Sequence, residues 1–481
     1  MRARLFAPAN RKWWTLAAVA FGLFMIMLDN TVVNVALPSI ERSLHMSISQ
    51  LEWIVTAYAL TFAAFMLTGG KLADLIGRRR IFVIGLVVFT ASSFVCGIAP
   101  SSSWLIGARA VQGIGAALMN PATLSIITAT FAPRERGMAI GIWAGVSAMA
   151  LAIGPLVGGL LTEHINWNWV FYINVPIGIV GIVATYLFID ETRDTSHEQR
   201  LDLPGLATSG VGLFALTYGL IEANNYGWTS GRILASFVIG VALLAVFVVL
   251  ELHQRLPMLE LSLFRNGTFT GANVATLFVG LAMFGVFFYV SLFMQQVLRY
   301  SPVEAGATFL PMTVLVILVA PAAGKLSDHF GSRWLVGSGL TLVAGSLVWY
   351  GTLDASSTFW DILPGLILGG FGMAMTMTPT TAAAMGSVAV DKAGVGSAVL
   401  NSMRQVGGSL GIAIMGAVVA HVAGTPQAGG RHFDAAAFTN GFHDAVHLAA
   451  VFALVGAVVG VATLRNVRHG DAPAHAGLER A

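Results

Sequence analysis

Apolar residues in this chain gather in long unbroken runs, with neither the alternation of a half-buried strand nor the stripe of a surface helix. A helix needs about 20 apolar residues to cross a bilayer. Fourteen runs meet that length, near residues 13–35, 51–70, 81–99, 104–129, 137–161, 169–189, 203–222, 232–251, 268–292, 303–323, 334–352, 358–381, 396–421 and 443–464. Polar residues are confined to the joints, most of them short; the longer ones are 190–202, 252–267 and the Gly- and Ala-rich 422–442. In lipid each backbone N–H must bond within its own segment, so the pattern predicts an all-α integral membrane protein of fourteen transmembrane helices.

One joint recurs. GGKLADLIGRRR, Gly69 to Arg80, lies between the second and third runs, and a weaker copy, GKLSDHFGSRW, lies at Gly324 to Trp334 between the tenth and eleventh. A motif repeated once at long range marks two related halves. If each half holds six spans, the second copy should follow span eight, so two surplus spans, 203–222 and 232–251, lie between the halves. The expected plan is 6+2+6: a six-helix bundle over 1–189, an inserted hairpin with its linker over 190–267, a pseudo-symmetric six-helix bundle over 268–465, and a tail at 466–481.

Composition agrees. The 481 residues are 56% hydrophobic and 10% charged, with mean hydropathy +0.78, where soluble domains carry about 25% charged residues. The formal charge of +3 comes from loop anchors and gives no reason to expect nucleic acid. Of the 26 Lys and Arg residues, 20 fall in joints on one side, the side of both termini, four on the other, and Arg109 and Arg404 within spans. By the positive-inside rule both termini are cytoplasmic. Arg2 to Lys12 and the run after it imitate a signal peptide, but the run is longer than such a core and no small-x-small site follows, so it reads as a retained first span. Cys96, the only cysteine, cannot form an internal disulfide.

Charged residues inside spans are expensive and mark candidate chemistry. Asp29 lies in the first run, roughly 14 Å of helix before Pro38. It reads as a proton site that exchanges as a cavity opens to either side, or else as a structural carboxylate bonded to Asn30 or Thr31. Arg109, in RAVQGIGAA of span four, is always charged; it holds a carboxylate or water chain at depth, or snorkels to an interface. Glu222 ends span seven as a second acidic site or a solvated edge residue. Arg404 in span thirteen is a cargo contact, a packing element or an anchor. In AIGPLVGGLL, Pro155 bends span five while Gly154, Gly158 and Gly159 let another helix approach. The methionines around Met373, Met377 and Met403, and Phe284, Phe287, Phe288 and Tyr289, suit a permissive apolar cavity or ordinary packing.

Other signatures are weak or missing. Gly113 and Gly115 lack the third glycine and preceding strand of a dinucleotide loop, and there is no G-x-x-x-x-G-K-[ST]. His443 and His447, spaced i, i+4 beside Asp444, lack a further ligand set, so no metal and no cofactor is expected. The chain is not expected to be an enzyme, and its energy would come from an ion gradient.

GGKLADLIGRRR, RAVQGIGAA and the GP-x-x-GG of span five resemble motifs of the major facilitator superfamily. LDNTVVNVALP (Leu28 to Pro38) and WNWVFYINVPIG (Trp167 to Gly178) resemble its 14-span drug:proton antiporter family, often called EmrB/QacA-like. The likeness extends to about residue 465. It implies two bundles rocking around a central cavity in the cell (inner or plasma) membrane, with protons moving inward as a hydrophobic, often cationic, compound moves out. On that resemblance Asp29 and Arg109, with Glu222, are the expected coupling residues. Asn30, Asn34, Phe284, Phe288, Met373, Met377 and Arg404 would line the cavity. Gly70, Asp74, Gly77, Arg78, Arg79, Asp328 and Arg333 would form the cytoplasmic gate, and Gly154, Pro155, Gly158 and Gly159 the antiporter bend. Leu75, Ala150 and Ser332 depart from the motifs and weaken the expected latch. The expected partners are protons, lipid and small lipophilic or cationic substrates; the protein would act as a monomer, and nothing in the chain supports a periplasmic adaptor. Alternatives are a dedicated exporter of one metabolite, lipid or siderophore, and a non-transporting sensor or scaffold.

Overall fold

The computed structural model describes residues 8–193, 201–255, 257–388, 392–423 and 434–464, and these are almost wholly helical. The basic residues Arg2, Arg4, Arg200, Arg431, Arg465, Arg468 and Arg480, and the tail 466–481, lie outside the described residues. In chain order the long helices are α1 (Pro8–Leu44), α2 (Ile48–Ile76), α3 (Arg78–Gly97), α4 (Ser102–Thr130), α5 (Pro133–His164), α6 (Asn174–Phe188), α7 (Leu203–Tyr226), α8 (Gly231–His253), α9 (Gly267–Leu292), α10 (Leu310–Phe330), α11 (Ser332–Tyr350), α12 (Phe359–Gly386), α13 (Ala393–Ala423) and α14 (Ala435–Thr463). Short helices Trp169–Tyr172 and Pro302–Thr308 lead into α6 and α10, and a wide turn, Phe293–Val297, extends α9.

Each helix occupies an expected run, with one correction. Thirteen helices among the described residues are long and apolar enough to cross a membrane, not fourteen. The span expected at 334–352 is present as α11 and packs on α12 and α14. Its apolar content is diluted by Arg333 and by Gly337, Ser338, Gly339, Thr341, Gly345 and Ser346; of these Gly337 and Gly339 serve close helix approach, since a Cβ on Gly337 would strike Val461 of α14 and one on Gly339 the Gly372 carbonyl of α12.

Side-chain caps start many of the helices. Ser47 and Gln50 form a reciprocal capping box on α2, and Ser101, Asp202, Ser230, Asn266 and Asp434 each accept a backbone N–H of their own helix. The two copies of the basic joint turn at matching glycines, Gly77 at φ +129° and Gly331 at φ +82°. Only glycine adopts such angles cheaply, so the repeat read from sequence is a repeat of backbone geometry.

Helices α1 to α6 pack among themselves, as do α9 to α14, while α7 and α8 form a hairpin against α2 and α13. A seam joins the two groups: α1 meets α9, α2 meets α13, and α5 meets Pro302–Thr308 and α10. The cross-seam contacts favour the end far from the Gly69–Arg80 joint, hereafter the far end. There Ser291 and Gln295 donate to the carbonyls of Asn34 and Val35, and Glu163 accepts the Val303 N–H. Glycines permit the approach: a Cβ on Gly159 would strike Pro302 and one on Gly306 would strike Pro155, while Gly158 lets α5 lie against Val32 of α1 within the first group.

Candidate functional site

The fold brings Asp29 of α1 and Arg109 of α4 together, 0% and 1% exposed, with Arg109 Nη1 donating to Asp29 Oδ2 at 2.5 Å. Two amides complete the cluster. Gln112, one turn beyond Arg109, accepts from Arg109 Nη1 at 2.7 Å and donates to Asp29 Oδ1 at 2.9 Å and to Ser93 Oγ at 2.7 Å. Asn174, at the start of α6, donates to Asp29 Oδ1 at 3.2 Å. Arg109 Nε donates to the Ile54 carbonyl of α2, and the Tyr58 ring lies 4.2 Å from the guanidinium carbon. Five helices thus converge on one ion pair.

The interface reading of Arg109 does not hold, and the groups that bond Asp29 come from other helices. Arg109 does not snorkel; it is enclosed by α1, α2 and α4. Asn30 and Thr31 do not bond Asp29, since their side chains cap the carbonyls of Ile26 and Leu28. The amides that do bond it, Gln112 and Asn174, were not singled out from sequence. Gln112 could have been, because i and i+3 share a helix face; Asn174 lies in the WNWVFYINVPIG motif without a signal of its own.

Glu222 does not join this cluster. It accepts from the Trp53 indole N–H at 3.1 Å and from Asn225 at 2.9 Å, at the far end of α7. Beside it stands Glu52, 2% exposed, the second residue of an apolar run, a place that gives no signal of burial in the sequence. Glu52 Oε1 accepts from Tyr289 Oη at 2.7 Å, across the seam.

Of the expected cavity residues, Phe284, Met373, Met377 and Arg404 are partly buried, whereas Phe288 is fully buried against Tyr289. Asn34 donates to the Asn30 carbonyl, and its own Oδ1 has no partner. Arg404 Nη1 reaches Asn401 Oδ1 at 3.3 Å, its Nε is buried without a partner, and no carboxylate pairs with it among the described residues. A cleft of about 640 Å³ opens at the far end between α1 and the chain after α9, lined by Glu41, His45, Gln296, Arg299 and Glu304 among others.

The expected gate residues of the first copy make their contacts within the first group of helices. Asp74 and Arg78 pair at 3.0 Å, Arg78 also reaches the Ser125 carbonyl, and the Arg79 N–H donates to Glu191 at 3.1 Å. Gly70 packs on Pro121 of α4 and Gly77 on Glu191. Arg333 lies over the Trp334 ring. The Asp328 side chain lies outside what the structure describes. The His443 ring bonds the Leu353 carbonyl and His447 packs on Gly351, and no metal-binding group of His, Cys, Asp and Glu occurs among the described residues.

An apolar multi-helix bundle with a seam and a buried charge pair is the architecture of a membrane transporter. Residues 19–412 match the Major Facilitator Superfamily model, and the chain belongs to that family. It is 35% identical to the tetracenomycin C resistance and export protein of Streptomyces glaucescens, over 85% of this chain and 76% of that protein. It is 36% identical to the multidrug resistance protein Stp of Mycobacterium tuberculosis, over 84% of this chain and 75% of that one. Its fold resembles a bacterial homologue of the human lysosomal transporter Spinster, crystallised inward-facing and unoccupied, with TM-score 0.66 and 20% identity over 95% of this chain and 97% of that chain.

Proposed function

We propose that the protein exports hydrophobic compounds across the plasma membrane in exchange for protons, by alternating access of two six-helix groups flanking an inserted hairpin, with both termini in the cytoplasm. The observation that carries this reading is the Asp29–Arg109 pair, sealed at the meeting of five helices. A buried ion pair seldom adds net stability over apolar packing, so its presence at membrane depth points to work. Arg109 keeps its charge, which makes Asp29 the group that gains and loses the proton. Protonation would neutralise the acid and leave the guanidinium without a counter-charge, a state that α1 and α4 can relieve only by moving. Proton binding and rearrangement are linked in this way.

The seam contacts at the far end support a state closed on that side, the outer side under the charge rule. The relatives' names, resistance and export among them, support outward movement of xenobiotic or antibiotic cargo. The family resemblance adds a preference for cations; Arg404 favours an acceptor or anionic group in whatever part of the cargo lies beside it. The deciding experiment is dye or lipophilic-cation transport into or out of proteoliposomes under an imposed pH gradient. Wild type should move the probe, Asp29→Asn should insert normally and not couple, and undiminished gradient-driven flux in Asp29→Asn would reject the assignment.

A further inference from the structure

We propose that Glu52 is a second proton-binding site and that proton uptake there holds the far end of the seam shut. Glu52 is the fifth residue of α2, 2% exposed, and its side chain's partner is neutral: Tyr289 Oη of α9 donates to Oε1 at 2.7 Å. The helix opposite is α13, whose Gly416 lies so close that a Cβ there would strike the Glu52 carboxyl. No Lys or Arg pairs with it among the described residues. The contrast with Asp29, which has its own guanidinium, is what singles it out.

The groups facing Glu52 can be named helix by helix. From α7 comes Glu222, whose charge Glu52 feels and which is held by Trp53 and Asn225. Tyr289 comes from α9. On α4 the nearest ion is Arg109, already committed to Asp29. α13 presents Gly416 and Ala420, with His421 exposed at its end. A cleft of about 30 Å³, lined by Ser47, Ser49, Glu52, Asn224 and Asn225, reaches the carboxyl and has room for about two waters. A carboxylate enclosed in this way without a cation is costly, and the neutral acid removes the cost. When the seam parts, Tyr289 leaves with α9, bulk water replaces the confined cleft, and the ionised form becomes acceptable. On closing, a hydronium ion of that water gives its proton to a carboxylate oxygen: one O–H bond breaks as the other forms, and neutral water is left behind. Proton binding and closure must therefore promote each other.

The inference rests on the alternating-access reading above, but its test needs neither cargo nor gradient. Cys96→Ala removes the only cysteine, and Ser103→Cys with Ala355→Cys place spin labels at exposed far-end positions of the two groups. Pulsed dipolar distances are then measured in lipid nanodiscs from pH 5 to 9. The wild-type background should show the open-to-closed ratio rising at least about tenfold over that range. Glu52→Gln should shift toward the closed state and keep only the pH dependence that Asp29 supplies, at least about threefold smaller than that of wild type, and a Glu52→Gln curve that follows wild type overturns the proposal. Tyr289→Phe gives an independent arm should Glu52→Gln fail to insert. The hydroxyl supports the anion more than the acid, so its loss should move the closing midpoint upward by about one pH unit; an unmoved midpoint counts against Glu52. Either failure leaves the Asp29 assignment standing.

Discussion

Asn174 and Asp29 are 145 residues apart in the chain and 3.2 Å apart in space, with the Asn174 amide donating to the carboxylate oxygen that Gln112 also serves. The acid is therefore fixed from both sides, by the span-four amide and by the first turn of α6. Holding Oδ1 with two amides leaves Oδ2 turned to Arg109, which sets the orientation in which the pair meets. Removing one amide should loosen the pair without abolishing it. Asn174→Leu and Gln112→Leu should each lower stability by about 1–3 kcal/mol, because a buried acceptor loses a donor. Gln112→Leu should cost more, since it also strips Arg109 and Ser93 of a partner. Thermal unfolding of the purified proteins in detergent orders the two.

The ion pair predicts a non-additive pair of substitutions. Asp29→Asn leaves Arg109 charged and enclosed, a defect of about 3–5 kcal/mol when one member of a buried pair is removed. Asp29→Asn combined with Arg109→Gln removes both charges and should recover much of that loss. Neither variant should couple transport to a pH gradient. A double variant as unstable as the single one would mean that Arg109 serves mainly the Ile54 carbonyl and the Tyr58 ring.

How much of this was legible beforehand depends on the range of the interaction. Span positions follow from run length, because lipid tolerates only internally bonded helices, and α11 is the least apolar of them because Arg333, glycines and hydroxyl residues interrupt its run. Asp29 and Arg109 each announced themselves as costly charges at depth, although nothing in the pattern said that they meet. Glu52 was invisible for a physical reason. Two residues into an apolar run, a carboxylate is normally solvated, and what encloses this one are α9 and α13, more than 200 residues away. The same holds for the gate: Asp74, Arg78 and Arg79 stand out as a motif, but Glu191, the partner of Arg79 and Arg80, lies in a joint with no pattern of its own.

The far-end seam rests on glycines that face backbone, so bulk there cannot be absorbed by a side-chain shift. Gly158→Val and Gly159→Val should each wedge α5 away from α1 or from Pro302. The expected result is faster labelling of single cysteines introduced at Asn34 or Ser291, which are buried at that seam, and reduced export. Unchanged labelling would show that α5 leans on α1 for packing alone.

At the basic joint, backbone and charge should separate experimentally. Gly77→Ala places a Cβ at φ +129° and against Glu191, combining strain with a clash, and should cost about 1–3 kcal/mol. Glu191→Gln removes only half-exposed ion pairs with Arg79 and Arg80 at 4.0 and 3.6 Å and should cost less than about 1 kcal/mol. Salt titration of thermal stability checks the assignment: the difference between wild type and Glu191→Gln should shrink at high ionic strength, and that between wild type and Gly77→Ala should not.

Arg404 supplies the sharpest statement about cargo. It is a partly buried cation on α13 with one neutral partner, Asn401, an unpartnered Nε and no acid among the described residues. Such a group is costly at membrane depth unless something else completes it. If cargo completes it, Arg404→Met should leave stability unchanged or raise it while weakening transport of compounds that carry an acceptor or anionic group. Purely cationic probes should be spared, or even move faster once a like charge is gone. Parallel transport assays with an anionic and a cationic dye of similar size distinguish the outcomes: an equal loss for both dyes would make Arg404 a packing residue, and a selective loss for the anion would place it against the passing cargo.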